Sequence, residues 1–327
     1  MERNAVPCAP DKRVSDDLPP VFLSLTISEL NPDPPPSTPI LARQAQKRAW
    51  LTWLACVACV IVFIGIHTDS TGSTDPVQNW GWQPSDTIYD GAYWVLFSSV
   101  FVHVEFWHLA FNLYWLYHLG RWLEQSIGSA RWLAFVAGSA FVSSTAELAI
   151  SGQAGIGGSG VGYALFGFGW VLRKHVPAVA GILTQGTVFV FFAWLIGCVI
   201  LTSADVLNVA NAAHFAGFLF GTALGGWLLD KSRRPLISCA LAFLLVAGVV
   251  TLFWAPWSIQ WTSWRGVKAH KKGDFSDAIR WYERSMKLGQ DEKWCQDAID
   301  MARSAIMVQR LSQSRTNSPT GRTNGNF

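Results

Sequence analysis

The chain reads as an all-α protein that crosses a membrane seven times, and three observations carry that reading. Half of its 327 residues are hydrophobic and only 14% are charged, well below the roughly 25% charged residues of an average soluble domain. Seven apolar segments, near 49–66, 108–125, 131–150, 159–174, 185–203, 212–229 and 235–255, approach the ~20 residues a helix needs to cross the hydrocarbon core. Between the spans, Lys and Arg fall only in alternate connections.

That alternation gives an orientation. Arg43, Lys47 and Arg48 precede the first span, Arg121 and Arg131 flank the connection from second to third, Arg173 and Lys174 follow the fourth, and Lys231, Arg233 and Arg234 follow the sixth. Positively charged connections stay on the cytoplasmic side. Residues 67–107, 151–158 and 204–211 contain no Lys or Arg, so these loops and the C-terminal segment are expected outside and the N-terminus inside. The extreme N-terminus lacks the pattern of a cleaved signal peptide, and none is expected. A multi-pass integral membrane protein follows, in the plasma (inner) membrane if the source is bacterial. The net charge of +3 gives no reason to expect a nucleic-acid partner.

On this topology the second, fourth and sixth spans all run from outside to inside. His108 with Asn112, Ser159, and His214 lie in the first turns of these three helices, and therefore at one depth near the outer face. A polar group left unpaired in hydrocarbon costs roughly 2–7 kcal/mol, so the helices are expected to turn these side chains toward one another around a cavity that water reaches. A serine hydroxyl is a weak nucleophile until a base removes its proton, and imidazole suits that task near neutral pH. Ser159 and His214 supply such a pair. At a helix N-terminus, Ser159 has unpaired N–H groups and the positive end of the dipole beside it, which suits a developing oxyanion. The flanking Gly157 and Gly160 allow close backbone approach. His108 and Asn112, four apart, share a helix face and can both donate hydrogen bonds; with the Ser159 N–H they would form an oxyanion hole. Tyr163, one turn after Ser159, is placed to stack on the His214 ring.

The motifs His108-Leu-Ala-Phe-Asn112, Gly157-Gly-Ser-Gly160 with Tyr163, and Ala213-His214-Phe-Ala-Gly217-Phe-Leu-Phe-Gly221 occur in that order on the second, fourth and sixth spans. In them the chain resembles the rhomboid intramembrane serine proteases over residues 49–230, and Glu124 followed by Gly128 also fits the family pattern. The resemblance implies a six-helix catalytic core plus one further span, Ser159 as nucleophile, His214 as general base, and His108, Asn112 and the Ser159 N–H around the oxyanion. It implies a membrane-protein substrate cut through an acyl-enzyme near the outer face, at a helix loosened by Gly or Pro with a small residue before the scissile bond. Lateral access between the second and fifth spans would make Phe111 and Trp194 gate residues. No cofactor is implied. The family's first outside loop often carries Trp-Arg, whereas Trp94 is followed here by Val95; the departure concerns how the loop is anchored and not the catalytic set.

Other readings of the same residues carry less. Gly217, Gly221 and Gly225 have the four-residue spacing that membrane helices use for close packing, and Ser159, His214 or Asn112 taken singly would be read as packing or solvated groups. His103, Glu105 and His108 look like a metal cluster, but the histidines are five apart, on different helix faces, and no H-E-x-x-H occurs. No metal is expected. Cys56 and Cys59 sit inside the first span and read as core residues, and six cysteines without regular spacing give no disulfide framework. Intramembrane aspartyl chemistry would need two Asp within spans, and none precedes Asp230 at a cytoplasmic edge. Asp205 is the one candidate to orient His214, and a dyad without a third member is the expected arrangement. A catalytically silent relative that binds transmembrane clients in trafficking or quality control is the main alternative. A proton relay through His108, Glu147 and His214 would need polar groups at several depths, and Glu147, near the outer end of its span, is expected to be solvated.

The ends of the chain complete the organisation. Residues 1–46, with Pro34-Pro35-Pro36, read as a flexible cytoplasmic arm, residues 47–232 as the six-span catalytic domain, and 233–257 as the seventh span. Beyond it, Trp264, Gly266, Gly273-Asp274-Phe275, Ala278, Ile279, Tyr282 and Ser285 resemble a tetratricopeptide repeat. A helix pair near 259–288 and a third helix near 292–310 are expected, in a module of residues 258–310. A single repeat needs neighbours to bury its apolar face, which implies packing on the membrane domain or on a protein partner. Residues 311–327, rich in Ser, Thr, Asn and Gly, read as a disordered tail.

Overall fold

The computed structural model describes residues 48–71 and 75–316, which contain helices and no strand; the arm expected at 1–46 lies outside them. The first span is α1 (Trp50–Thr68). A long loop follows, holding three short helices, α2 (Pro76–Asn79), α3 (Ser85–Tyr89) and α4 (Val95–Ser98). The second span begins as α5 (Phe106–Trp115), passes through a π-helical turn at Leu116–Gly120 and ends as α6 (Arg121–Ile127). The remaining spans are α7 (Ser129–Ser151), α8 (Ser159–Leu172), α10 (Gln185–Ser203), α11 (Asn211–Leu229) and α12 (Arg234–Phe253), with the short α9 (Pro177–Ile182) before α10. This is an all-α membrane bundle in which α1, α7, α10, α11 and α12 are each long and apolar enough to cross a bilayer.

Two expected spans differ in detail. The second is not one continuous α-helix, because the π turn inserts an extra residue and rotates the face that α6 presents relative to α5. The fourth, α8, has 14 residues, about 21 Å at 1.5 Å per residue, too short to cross alone. It is preceded by the irregular segment 152–158, in which Gly152 and Ala154 are buried, and this segment leads the chain to Ser159.

The centre of the bundle is aromatic and aliphatic: Phe135, Phe166, Leu119, Leu123, Leu165 and Leu172 are almost fully buried, and Phe166 stacks on Phe191 with ring centroids 4.1 Å apart. α10 is buried along a single stripe, Val188, Phe191, Leu195 and Cys198, so most of its surface faces outward. The loop between α1 and α5 is held by apolar contact. Val95, which follows Trp94, is fully buried in one cluster with Ile88, Tyr89 and Leu96, and Ser144 of α7 donates to the Leu96 carbonyl at 2.9 Å.

After α12 the chain forms three more helices, α13 (Ile259–Lys271), α14 (Phe275–Lys287) and α15 (Glu292–Thr316), packed around Ala269, Ala278, Tyr282, Ala298 and Ile299. α15 runs beyond the expected end at 310, so residues 311–316 are helical rather than tail. Buried Cys295, Ala298, Ile299 and Ala302 anchor its first half, and with no Gly or Pro before Pro319 each further residue adds a hydrogen bond to an established helix. Residues 317–327 lie outside the described ones.

One carboxylate ties the first span to the second. Glu124 is only 1% exposed; it accepts from Leu51 N at 3.0 Å, Thr52 N at 2.8 Å, Thr52 Oγ1 at 2.7 Å and Ser129 Oγ at 2.6 Å. Ala49, the N-cap of α1, has no capping side chain, so Glu124 caps α1 from a neighbouring helix. A hydrogen bond to a charged group contributes about 1.5–3 kcal/mol. Glu124→Ala should therefore lower stability by several kcal/mol and Ser129→Ala by about 1 kcal/mol, as measured by thermal unfolding in detergent.

Candidate active site

The site is built where α8 meets α11. These helices touch backbone to backbone: a Cβ at Gly217 would collide with the Gly160 carbonyl, one at Gly221 with the Ala164 carbonyl, and one at Gly225 would lie 3.1 Å from the Phe168 carbonyl oxygen. The contact advances four residues on each helix at every step, the spacing of one helical ridge row. It fixes His214, one turn before Gly217, beside Ser159, the first residue of α8. His214 Nε2 lies 2.7 Å from Ser159 Oγ. Ser159 is half-buried and His214 is buried, at 3% exposure. Tyr163 packs on the imidazole with ring centroids 4.7 Å apart and an interplanar angle of 35°, and its hydroxyl donates to the Phe191 carbonyl at 3.1 Å.

The turn before Ser159 is held open by glycine. Gly157 has φ +98°, and a Cβ there would lie 2.5 Å from His108 Cε1 and 2.8 Å from His108 Nε2. The absence of a side chain is thus what lets the His108 ring reach the strand of backbone in front of Ser159. Asn112 is buried on the next turn of α5 and donates one amide hydrogen to the His108 carbonyl at 2.9 Å; its second amide hydrogen is separate from that bond. Ser159, His214, Tyr163, His108 and Asn112 therefore converge. A small cavity beside Ser159, with about 10 Å³ of space for the centre of a water molecule, is lined by Ser143, Ser144, Gly157, Gly160 and Ala213 among others. That is close to the least that holds one water.

Asp205 does not join them. It is exposed, in a turn after α10 with φ +54°, and His214 Nδ1 has no partner among the described residues. Phe111 does not meet Trp194 either: its ring faces Phe191 at 6.5 Å, and Trp194 sits half-buried one turn further along α10. The seam between the second and fifth spans is closed by Phe111 and Trp115 against Phe191.

Two residues enter the site that sequence reasoning placed elsewhere. Glu147, expected to be solvated, is 7% exposed, and its carboxylate accepts from Ala213 N at 3.1 Å. The N-cap of α11, Ala210, has no capping side chain, so Glu147 of α7 caps the first turn of the helix that carries His214. His103, set aside with the metal question, is fully buried. Its Nδ1 lies 3.1 Å from the Phe101 carbonyl, which can only accept, so Nδ1 carries the proton; Nε2 is then free to accept from Gly158 N at 3.3 Å. With Gly157 N donating to the Ser99 carbonyl at 3.0 Å, the loop between α1 and α5 holds both amides that precede Ser159. No group of three or more His, Cys, Asp or Glu among the described residues is arranged to hold a metal ion.

A Rhomboid domain family model matches residues 90–231, a stretch that contains every one of these converging side chains. The chain belongs to the rhomboid family. It is 33% identical over 155 residues to the Rhomboid protease GlpG of Serratia proteamaculans, covering 47% of this chain and 54% of that protein. The GlpG of Salmonella paratyphi A is 30% identical over 186 residues, 57% of this chain and 66% of that protein. The GlpG of Klebsiella pneumoniae subsp. pneumoniae is 34% identical over 151 residues, 46% and 53% respectively. The chain thus spans between about half and two thirds of the length of these relatives, and the matched domain ends before α12 and the C-terminal module.

The burial of His103 gives this rhomboid domain a pH dependence. Burial, with His108 adding to it, pushes the His103 imidazole down to about 4 from an ordinary 6.5. Between these values the unfolded chain binds a proton that the folded protein does not, so stability falls as pH drops from 6.5 to 4 and levels off below. The full span corresponds to on the order of 3 kcal/mol. His103→Gln, which keeps an acceptor for Gly158 N, should show a shallower fall over this range in detergent thermal melts; coincident slopes would contradict the assignment.

Proposed function

We propose that this rhomboid is an intramembrane serine endopeptidase that cuts the transmembrane helices of other membrane proteins near the outer face of the bilayer. The observation that carries the reading is the 2.7 Å contact between Ser159 Oγ and His214 Nε2, at the head of a helix whose first N–H groups lack partners within the helix. His214 takes the Ser159 proton as Oγ attacks the scissile carbonyl, and the carbonyl oxygen becomes an oxyanion facing the Ser159 N–H, His108 and Asn112. Collapse of the tetrahedral adduct breaks the C–N bond, and His214 returns its proton to the leaving amine. An acyl-enzyme on Ser159 remains. Water then attacks with His214 again as base, releasing the new carboxylate and restoring the hydroxyl.

A peptide bond inside a helix is shielded by its own hydrogen bonds, so the substrate must unwind locally to reach Ser159. Gly or Pro near the cut, and a small residue before it, would lower that cost. Lateral access would run between the second span and α10, whose single buried stripe leaves it the freer partner, with Phe111 and Trp194 on either side. In this reading residues 47–232 form the catalytic domain, 233–257 a seventh span, and 258–310 a repeat-like module placed with Ser159 on the extracytoplasmic side.

The test is cleavage of a single-span substrate by purified protein in detergent. The parent should cut, and Ser159→Ala and His214→Ala should each lower kcat by at least about 10³-fold without unfolding. Cleavage that survives either substitution would sink the dyad. A folded parent that never cuts would favour a client-binding role.

A further inference from the structure

The C-terminal module packs against the segment that presents Ser159. Trp264 of α13 donates through Nε1 to Asp90 in the loop between α1 and α5 at 2.8 Å, Lys268 Nζ pairs with the same carboxylate at 2.7 Å, and the Trp264 ring lies 5.5 Å from that of Tyr89. Just before α13, Trp257 donates to the Ala149 carbonyl of α7 at 3.0 Å. The amide of Gln260 sits where a Cβ on Gly152 would have to be, and Gly152 has φ +77°, so glycine is required there both for conformation and for this contact. Beneath these polar contacts lies one small core. It joins Ile88, Tyr89, Val95 and Leu96 of that loop, Leu148 and Ala154 flanking the end of α7, and Leu252, Ala255 and Trp261 at the root of the module.

The same loop grips the segment 152–158 from its other side. Trp82 donates to the Ala154 carbonyl at 2.7 Å, Ser85 N donates to Gln153 at 3.1 Å, and Ser99 and His103 take the Gly157 and Gly158 amides. Residues 149–158 are therefore clamped between the loop and the root of the module, and the module in turn fixes the loop at Asp90. All of the module lies beyond the matched rhomboid domain, which ends at residue 231.

We infer that the C-terminal module is a positioning element for the nucleophile: through Trp261, Trp264 and Lys268 it braces that loop and the Gly152–Gly158 segment that set the geometry of Ser159. This deepens the hydrolase reading and rests on it for its catalytic consequence. The brace should act on reactivity and not on substrate affinity, since none of its residues lies on the seam between the second and fifth spans. Trp264→Phe, which keeps ring contact with Tyr89, should rescue most of what Trp264→Ala loses.

The experiment uses the full chain with the paired substitutions Trp264→Ala and Lys268→Ala, and two readouts. Amide hydrogen exchange of Gly157 and Gly158 should rise at least about tenfold. Labelling of Ser159 by a fluorophosphonate and kcat on a single-span substrate should both fall by at least about tenfold, with KM unchanged. Exchange at the parent rate would overturn the brace, and faster exchange with undiminished labelling would overturn its link to the nucleophile. If the parent itself takes no label, the hydrolase reading fails, and the exchange result alone then decides whether the module braces this segment.

Discussion

Close contact between the backbones of α8 and α11 is the constraint on which the rest of the molecule turns. Inside a bilayer apolar side chains gain little by leaving lipid for protein, so helices associate through tight packing and shared polar contacts. Gly217 and Gly221 remove the side chains that would hold the helices apart, and the Gly160 and Ala164 carbonyls occupy that space. The consequence is chemical as well as mechanical. A shift of one residue along either helix would move His214 by about 1.5 Å and turn it by about 100°, far more than a hydrogen bond to Ser159 tolerates. The register that packs the glycines is the register that brings His214 to Ser159.

Two helix N-termini without a capping side chain of their own, those of α1 and α11, receive a carboxylate from a neighbouring helix. Glu124 caps α1 from the end of the second span, and Glu147 caps α11 from the third. His103 and Ser99 do the corresponding work for the two amides before Ser159. Unpaired backbone groups cost several kcal/mol each in hydrocarbon, so these contacts stabilise the bundle, and those of Glu147, His103 and Ser99 also fix where Ser159 and His214 stand. Structure and reactivity are not separable at this end of the protein, and the module beyond α12 shares its apolar core with the same loop.

Hydropathy sufficed to predict the long apolar helices α1, α7, α10, α11 and α12, since length and composition are local properties. The convergence of His108, Asn112, Ser159 and His214 was also legible, because helix direction alone puts their first turns at one depth. What escaped was whatever depends on a partner distant in the chain. Glu147 looked solvated because its position near a helix end says nothing of the α11 N-terminus packed against it. His103 had no motif of its own, and its partner, Gly158 N, is 55 residues away. Asp205 was near His214 in sequence yet points elsewhere, because a left-handed turn ends α10 there. The end of α8 was legible, since Arg173 and Lys174 follow Leu172 directly.

The most direct test is the rate at which a fluorophosphonate labels Ser159 in Gly217→Ala, compared with Gly226→Ala on the same helix, where a Cβ would meet nothing closer than 3.5 Å. The added methyl at Gly217 must push α11 off the Gly160 carbonyl and carry His214 with it, so labelling should fall by at least about 10²-fold, as for displacement of a catalytic group by about 1 Å. Gly226→Ala should label like the parent. A folded Gly217→Ala protein that labels at the parent rate would show that the dyad does not depend on this seam.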